Sequence, residues 1–155
     1  MRTSQNWMRF HKALGSLGGI GYIGRGGGTV AAALTGIGWI CVPWHRLPSL
    51  LPILIALAIV VIGVWSSGRL ETIWGKDNRQ IVIDEVLGMT VSMLGIPVSP
   101  LHVLIAFVLF RYFDIAKPLF IRNTEQLPRG WGVMGDDLLA GIYANLCLRL
   151  LMIFF

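Results

Sequence analysis

Acidic residues are scarce in this chain: five Asp and three Glu in 155 residues. Charged residues of both signs make up only 14%, hydrophobic residues 55%, and mean hydropathy is +0.70. That balance lies outside the range of a soluble globular domain and points to membrane insertion. Cysteine is nearly absent, and Cys41 and Cys147 stand far apart inside apolar runs, which excludes a disulfide framework or a cysteine zinc site. The three histidines, His11, His45 and His102, are isolated from one another, which argues against a histidine-centred site. With so little of the chain polar, the net charge of +5 describes a basic rim facing a membrane, and no nucleic acid partner is expected. The length corresponds to one domain, residues 1–155.

Apolar runs organise what is there. Residues 1–20 form a basic, mildly amphipathic N-terminal segment without the apolar block and cleavage site of a signal peptide. The glycine-rich stretch that follows contains a GxGxxG at Gly19, Gly21 and Gly24. No strand pattern precedes it and no acidic residue follows at the ribose-binding distance, so a dinucleotide site is not supported. Thr29 to Trp44 and Leu50 to Trp65 are apolar on either side of PWHRLP and predict a transmembrane helical hairpin. Trp39, Trp44 and Trp65 occupy positions that suit interfacial anchors and suit core tryptophans equally. Beyond the polar segment SSGRLETIWGKDNRQ come two shorter apolar pieces, Val86 to Ile96 and Leu101 to Phe113, which read as tilted spans or as a re-entrant pair. A last helix is expected from about Asp136 to Phe155. The fold expected is all-α: a multi-helical integral membrane protein of roughly three long spans plus a shorter helical pair.

Basic residues orient this arrangement. With the N-terminus cytoplasmic, Arg2, Arg9, Lys12, Arg25, Arg69, Lys76, Arg79, Arg111, Lys117, Arg122 and Arg129 share one side, leaving Arg46 in the opposite loop and Arg149 inside a helix. The positive-inside rule makes the crowded side cytoplasmic. The same threading brings Asp84 and Glu85, Asp114, and Asp136 and Asp137 to that face.

Each acidic cluster also has a purely structural explanation. Carboxylates at helix N-termini cap free amides and complement the dipole for about 0.3–1 kcal/mol, which accounts for Asp84, Glu85, Asp136 and Asp137 if helices begin there. Asp114 does not fit, because it falls in the last turn before Pro118, where the dipole disfavours it. A salt bridge to Arg111 or Lys117, or a cation, must offset that cost. Taken together, the clusters read as a hard-metal site of the oxygen-rich kind that Mg²⁺ prefers. Adjacent carboxylates point about 100° apart on a helix, so one member of each pair is expected to take the metal. Arg111 and Lys117 add positive charge suited to a phosphate.

In this order and spacing, and preceded by GGGT, the segments IVIDEVLG, FRYFDIAKP and GWGVMGDDLLAG resemble the phosphatidylglycerophosphatase A family from about Gly21 to Asn145. The resemblance implies an all-helical, multi-pass protein of the bacterial inner membrane with its active site facing the cytoplasm. It implies Mg²⁺-dependent hydrolysis of the phosphate monoester of phosphatidylglycerophosphate, a phospholipid substrate, to phosphatidylglycerol and inorganic phosphate. Carried over by position, the implied site comprises Asp84, Glu85, Asp114, Asp136 and Asp137 as metal and catalytic residues. Arg111, Lys117, Thr29 and Lys76 are implied on the phosphate, with Glu71 and Asp77 as further neighbours. The chain departs from the family pattern at Gly27 and Gly28 before Thr29, at Leu119 and Phe120 after the KP pair, and at Trp131 after Gly130, which bears on the loops and the head-group fit. The alternative reading is a small membrane cation transporter or channel-like protein whose carboxylates line an ion path.

Overall fold

The computed structural model describes residues 2–75, 78–118 and 120–154. Lys76 and Asp77, two of the expected site neighbours, lie outside the described residues. The chain is helical, with no strand among the described residues. The helices are α1 (Arg2–Gly15), α2 (Gly27–Cys41), α3 (Leu51–Trp74), α4 (Ile83–Ser92), α5 (Pro100–Ala116), α6 (Ile121–Thr124) and α7 (Gly130–Phe154).

Local signals set several of these boundaries. Ser99 caps α5 by accepting the His102 amide at 3.1 Å, and Pro100 occupies the first turn, where its missing N–H costs nothing. At the other end Lys117 leaves helical geometry at φ 43°, as expected for the residue before Pro118. Gly75 closes α3 with a φ of 87°.

Two boundaries differ from the sequence expectation. Helix α3 does not stop at Trp65 but continues through the polar segment to Trp74. Ser66 and Ser67 are fully buried, and the Ser66 hydroxyl donates to the His11 carbonyl of α1 at 3.2 Å. Helix α7 starts at Gly130, six residues before Asp136. Glycines weaken an isolated helix, but Gly130, Gly132 and Gly135 are buried against α3 and residues 124–127, and that packing carries the first turns.

Helix α4 is the hub. It packs on α7, α2, α3 and α5, and is buried on opposite sides in two apolar clusters. Met89 and Met93 join Trp39, Phe110 and Leu148, whereas Leu87 and Val91 join Leu70, Val133 and Met134. Its C-terminal end meets two polar side chains of α7. Asn145 Nδ2 donates to the carbonyls of Val91, Ser92 and Leu94 at 3.2, 2.9 and 2.9 Å, and Arg149 Nη2 donates to Leu94 at 2.8 Å. Of these, the Val91 carbonyl also accepts the Leu94 amide at 3.2 Å, and the side chains that meet this helix end lie about 50 positions away in the chain.

Among the described residues two helices are long and apolar enough to cross a membrane, α3 and α7. At the usual rise they measure about 36 and 37 Å. Outward faces are apolar as well: Leu101, Leu104, Val108 and Ile115 form an exposed stripe on α5, and Leu146, Leu150 and Ile153 one on α7. Exposed apolar faces of this kind suit contact with lipid. Of the tryptophans weighed as anchors, Trp39 is a core residue and Trp65 is 40% exposed.

Candidate active site

The acidic residues are brought together by a contact one helical turn away from them. Gly88 of α4, Phe110 of α5 and Gly141 of α7 form a three-way junction. A Cβ on Gly88 would strike the Phe110 ring, and one on Gly141 would strike the Gly88 carbonyl oxygen. Residues four apart on a helix lie on the same face. Asp84 precedes Gly88 by four, Asp137 precedes Gly141 by four, and Asp114 follows Phe110 by four on a helix running the other way. All three carboxylates therefore emerge on the same side of the junction and face one another. The pattern D-x-x-x-G occurs in both α4 and α7 and is the local sequence signal for this geometry.

Two groups of carboxylate oxygens result, each with members within 4.8 Å of one another: Asp84, Glu85 and Asp137, and Asp114, Asp136 and Asp137. Asp137 is 3% exposed and belongs to both groups. Both members of each adjacent pair supply an oxygen to one of these groups, Asp84 and Glu85 to the first and Asp136 and Asp137 to the second. The capping explanation is corrected for Asp136 and Asp137, which lie well inside α7 rather than in its first turn. Asp84 and Glu85 do occupy the first turn of α4, where the dipole favours them.

Cations sit among these carboxylates. Arg111 Nη1 lies 2.8 Å from Asp114 Oδ2 and 3.9 Å from Glu85 Oε1, so the offsetting partner expected for Asp114 is Arg111. Lys117 Nζ is held between Asp136 Oδ2 at 2.6 Å and Glu125 Oε1 at 2.5 Å. Burial alone would push the Lys117 pKa down. The hydrogen bonds that Lys117 donates to Asp136 and Glu125 outweigh that and raise it above its ordinary value.

The pocket so formed has a volume of about 230 Å³, and its lining includes Asn78, Arg79 and Glu125 besides the five expected carboxylates and Lys117, with Arg111 behind Asp114 rather than in the lining. Glu125 and Arg79 were not among the residues singled out as site members by sequence. Glu125 stands eight residues beyond Lys117 in a segment without a hydrophobic pattern, and its only sequence signal is that it is one of eight acids in the chain. Of the remaining candidates, Thr29 is exposed on the first turn of α2, beside Gly28, whose missing Cβ leaves room for Glu85 Oε1. Glu71 lines a different cleft, on α3.

The donor set fits a divalent cation. It consists of hard carboxylate oxygens converging from three helices, and Glu85 Oε2 and Asp137 Oδ2 are buried without a hydrogen-bond partner among the described residues. Buried carboxylates at this spacing repel one another strongly, and a cation would relieve that.

Comparison with known proteins points the same way. The family model described as Phosphatidylglycerophosphatase A matches residues 13–152. The chain is 40% identical over 124 residues to a putative phosphatidylinositol-3-phosphatase of Bacteroides thetaiotaomicron, covering 76% of this chain and 77% of that protein. It is 49% identical over 70 residues to Phosphatidylglycerophosphatase A of Haemophilus influenzae, covering 44% and 43% of the two chains. Against Phosphatidylglycerophosphatase A of Escherichia coli it is 33% identical over 108 residues, covering 65% and 63%. No solved structure matches the chain. The family match spans all five converging carboxylates and every helix that positions them, so the chain belongs to the phosphatidylglycerophosphatase A family and is a phosphatase.

Proposed function

We propose that this protein hydrolyses the phosphate monoester of phosphatidylglycerophosphate, in a Mg²⁺-dependent reaction that releases phosphatidylglycerol and inorganic phosphate. The observation that carries this reading is the convergence of five carboxylates on one pocket in a chain of this family. Asp84, Glu85, Asp114, Asp136 and Asp137 would hold the cation. Bound there, Mg²⁺ supplies compact positive charge against the phosphoryl oxygens.

The chain's own residues do the rest. Arg111, fixed by Asp114, and Lys117, fixed by Glu125 and Asp136, hold positive charge at the pocket without needing to reorganise when the phosphoryl group arrives. Arg79 at the rim makes no ion pair among the described residues and is placed to meet an incoming phosphate. Glu85 Oε2 or Asp137 Oδ2, each lacking a hydrogen-bond partner among the described residues, accepts the proton of the attacking water.

The setting is a bacterial inner membrane. Helices α2, α3 and α7 run through the apolar layer with α4 and α5 as the shorter pair, and the carboxylates open to the cytoplasm. Supporting this are the apolar outer faces and the crowding of basic residues at the acidic end. A lipid that reaches the pocket from the same leaflet keeps its acyl chains in the bilayer while its terminal phosphate enters.

Phosphate release from phosphatidylglycerophosphate in detergent, with chelator and after Mg²⁺ is restored, tests the reading. Phosphatidylinositol 3-phosphate serves as the competing substrate, given the name of the Bacteroides relative. Preferential, Mg²⁺-restored turnover of phosphatidylglycerophosphate is expected. Preference for the inositol lipid would move the substrate assignment, and full turnover in chelator would remove the cation.

A further inference from the structure

A second cleft, of about 560 Å³, opens between the last turns of α3 and the start of α7, and its chemistry is opposite to that of the acidic pocket. Trp65, Gly68, Arg69, Glu71, Thr72 and Arg129 line it. Its shape follows from a close helix contact. A Cβ on Gly130 would strike the Val64 carbonyl, and one on Gly68 would lie 3.3 Å from the Gly130 nitrogen, so only glycine lets α7 begin this near α3. The contact places Arg129, at φ 56°, against α3 immediately before the positive end of the α7 dipole. Arg129 is thus presented from one wall and Arg69 from the other.

Charge and surroundings indicate the ligand. The cleft offers two guanidinium groups, Arg69 and Arg129, from two different elements, a set that suits a phosphate. Trp65 at the rim packs edge-on against Trp7 of α1 with ring centroids 5.5 Å apart, and Phe10 lies 6.4 Å away. All three rings are 40–52% exposed, and α1 carries Arg9 and Lys12 beside them. Half-exposed aromatic rings next to basic side chains suit the head-group layer of an anionic membrane.

We propose that this cleft binds the phosphodiester of an anionic glycerophospholipid, with Arg69 and Arg129 on the phosphate and Trp65 against the lipid stem. The site is separate from the acidic pocket, and binding there does not depend on the phosphatase reading. The bound diester belongs either to the substrate lipid itself or to a neighbouring lipid of the bilayer.

The test is equilibrium binding of short-chain phosphatidylglycerol to the full chain in zwitterionic detergent, by titration calorimetry, with short-chain phosphatidylcholine as the control. Arg69→Gln with Arg129→Gln is expected to weaken phosphatidylglycerol binding at least tenfold. Arg69→Lys with Arg129→Lys should retain it within a few-fold. Unchanged affinity in a double glutamine variant of native helical content and melting temperature overturns the proposal, as does equal affinity of the native protein for phosphatidylcholine. Kinetics then separate the two sources. If the diester is the substrate's own, the glutamine pair raises KM for the lipid phosphate monoester and leaves the hydrolysis of glycerol phosphate unchanged. If it belongs to a neighbouring lipid, phosphatidylglycerol binding falls while KM in detergent stays the same.

Discussion

The two ends of α4 are both polar sites in an apolar bundle, built in opposite ways. At the C-terminal end every group finds a partner: Asn145 closes three carbonyls, and Arg149 Nε in turn holds Asn145 Oδ1 at 2.8 Å. At the N-terminal end six carboxylates, Glu125 included, meet Arg79, Arg111 and Lys117, a formal charge of −3. Polar groups that hold a fold are paired within it, because an unmet buried donor or acceptor costs about 1–3 kcal/mol. Groups left short of partners are placed to receive something from outside. The contrast separates Asn145 and Arg149 from the acidic residues more sharply than sequence does, where both simply interrupt apolar runs.

That contrast breaks down if substitutions at the two ends behave alike. The largest effect is expected at the acidic end: Asp84→Asn, Asp114→Asn and Asp136→Asn should each lower phosphate release by about a thousandfold or more, as loss of a carboxylate that holds the proposed cation would. Helical content by circular dichroism should stay native. Near-normal turnover in any one of them would take that residue out of the site. At the other end, Asn145→Ala should lower stability by roughly 2 kcal/mol, because its amide shares two hydrogens among the three carbonyls at about 1 kcal/mol per hydrogen bond, while turnover per folded molecule holds. Denaturant unfolding in detergent measures the first quantity and active-site-normalised turnover the second.

Between the ends, Gly88→Ala probes the junction that joins them. The added methyl must displace the Phe110 ring, so both stability and activity should fall, the latter by about tenfold to a hundredfold, since small misplacements of reacting groups are costly. A loss confined to stability would mean that the junction does not position the carboxylates. The smallest effect is expected from Glu125→Gln, which leaves Lys117 with Asp136 as its remaining carboxylate. A severalfold loss of kcat/KM without a change in melting temperature would mark Glu125 as positioning Lys117, and an unchanged kcat/KM would make the pair a surface tie.

Much of this was legible in the sequence, for identifiable reasons. The five carboxylates stood out because acids are so few, and the end of α5 at Lys117 followed from Pro118, although its left-handed conformation did not. Asp114 announced a partner because the end of a helix is a poor place for a negative charge, and Arg111 supplied it. Less legible was whatever depended on distant contacts. Gly130, Gly132 and Gly135 look like a loop until α3 and residues 124–127 cover them. Ser66 looks like a solvent-facing residue until α1 lies across it. Asn145 has its partners some 50 residues earlier in the chain, and Glu125 acquires meaning only when α6 brings it to Lys117. The distribution of Arg69 and Arg129 over two elements likewise hides the basic cleft.

Asp137 offers the most direct test, because both carboxylate groups share it. The measurement is the melting temperature of wild type and Asp137→Asn in chelator and in Mg²⁺, read together with phosphate release from phosphatidylglycerophosphate. Wild type should gain stability with Mg²⁺ and turn over the lipid. Asp137→Asn should melt at least as high as wild type in chelator, because a repelling buried charge is gone. It should respond little to Mg²⁺ and release no phosphate. An Asp137→Asn protein that melts well below wild type in chelator, yet keeps both the Mg²⁺ response and turnover, would make the acidic end another structural site like the one around Asn145.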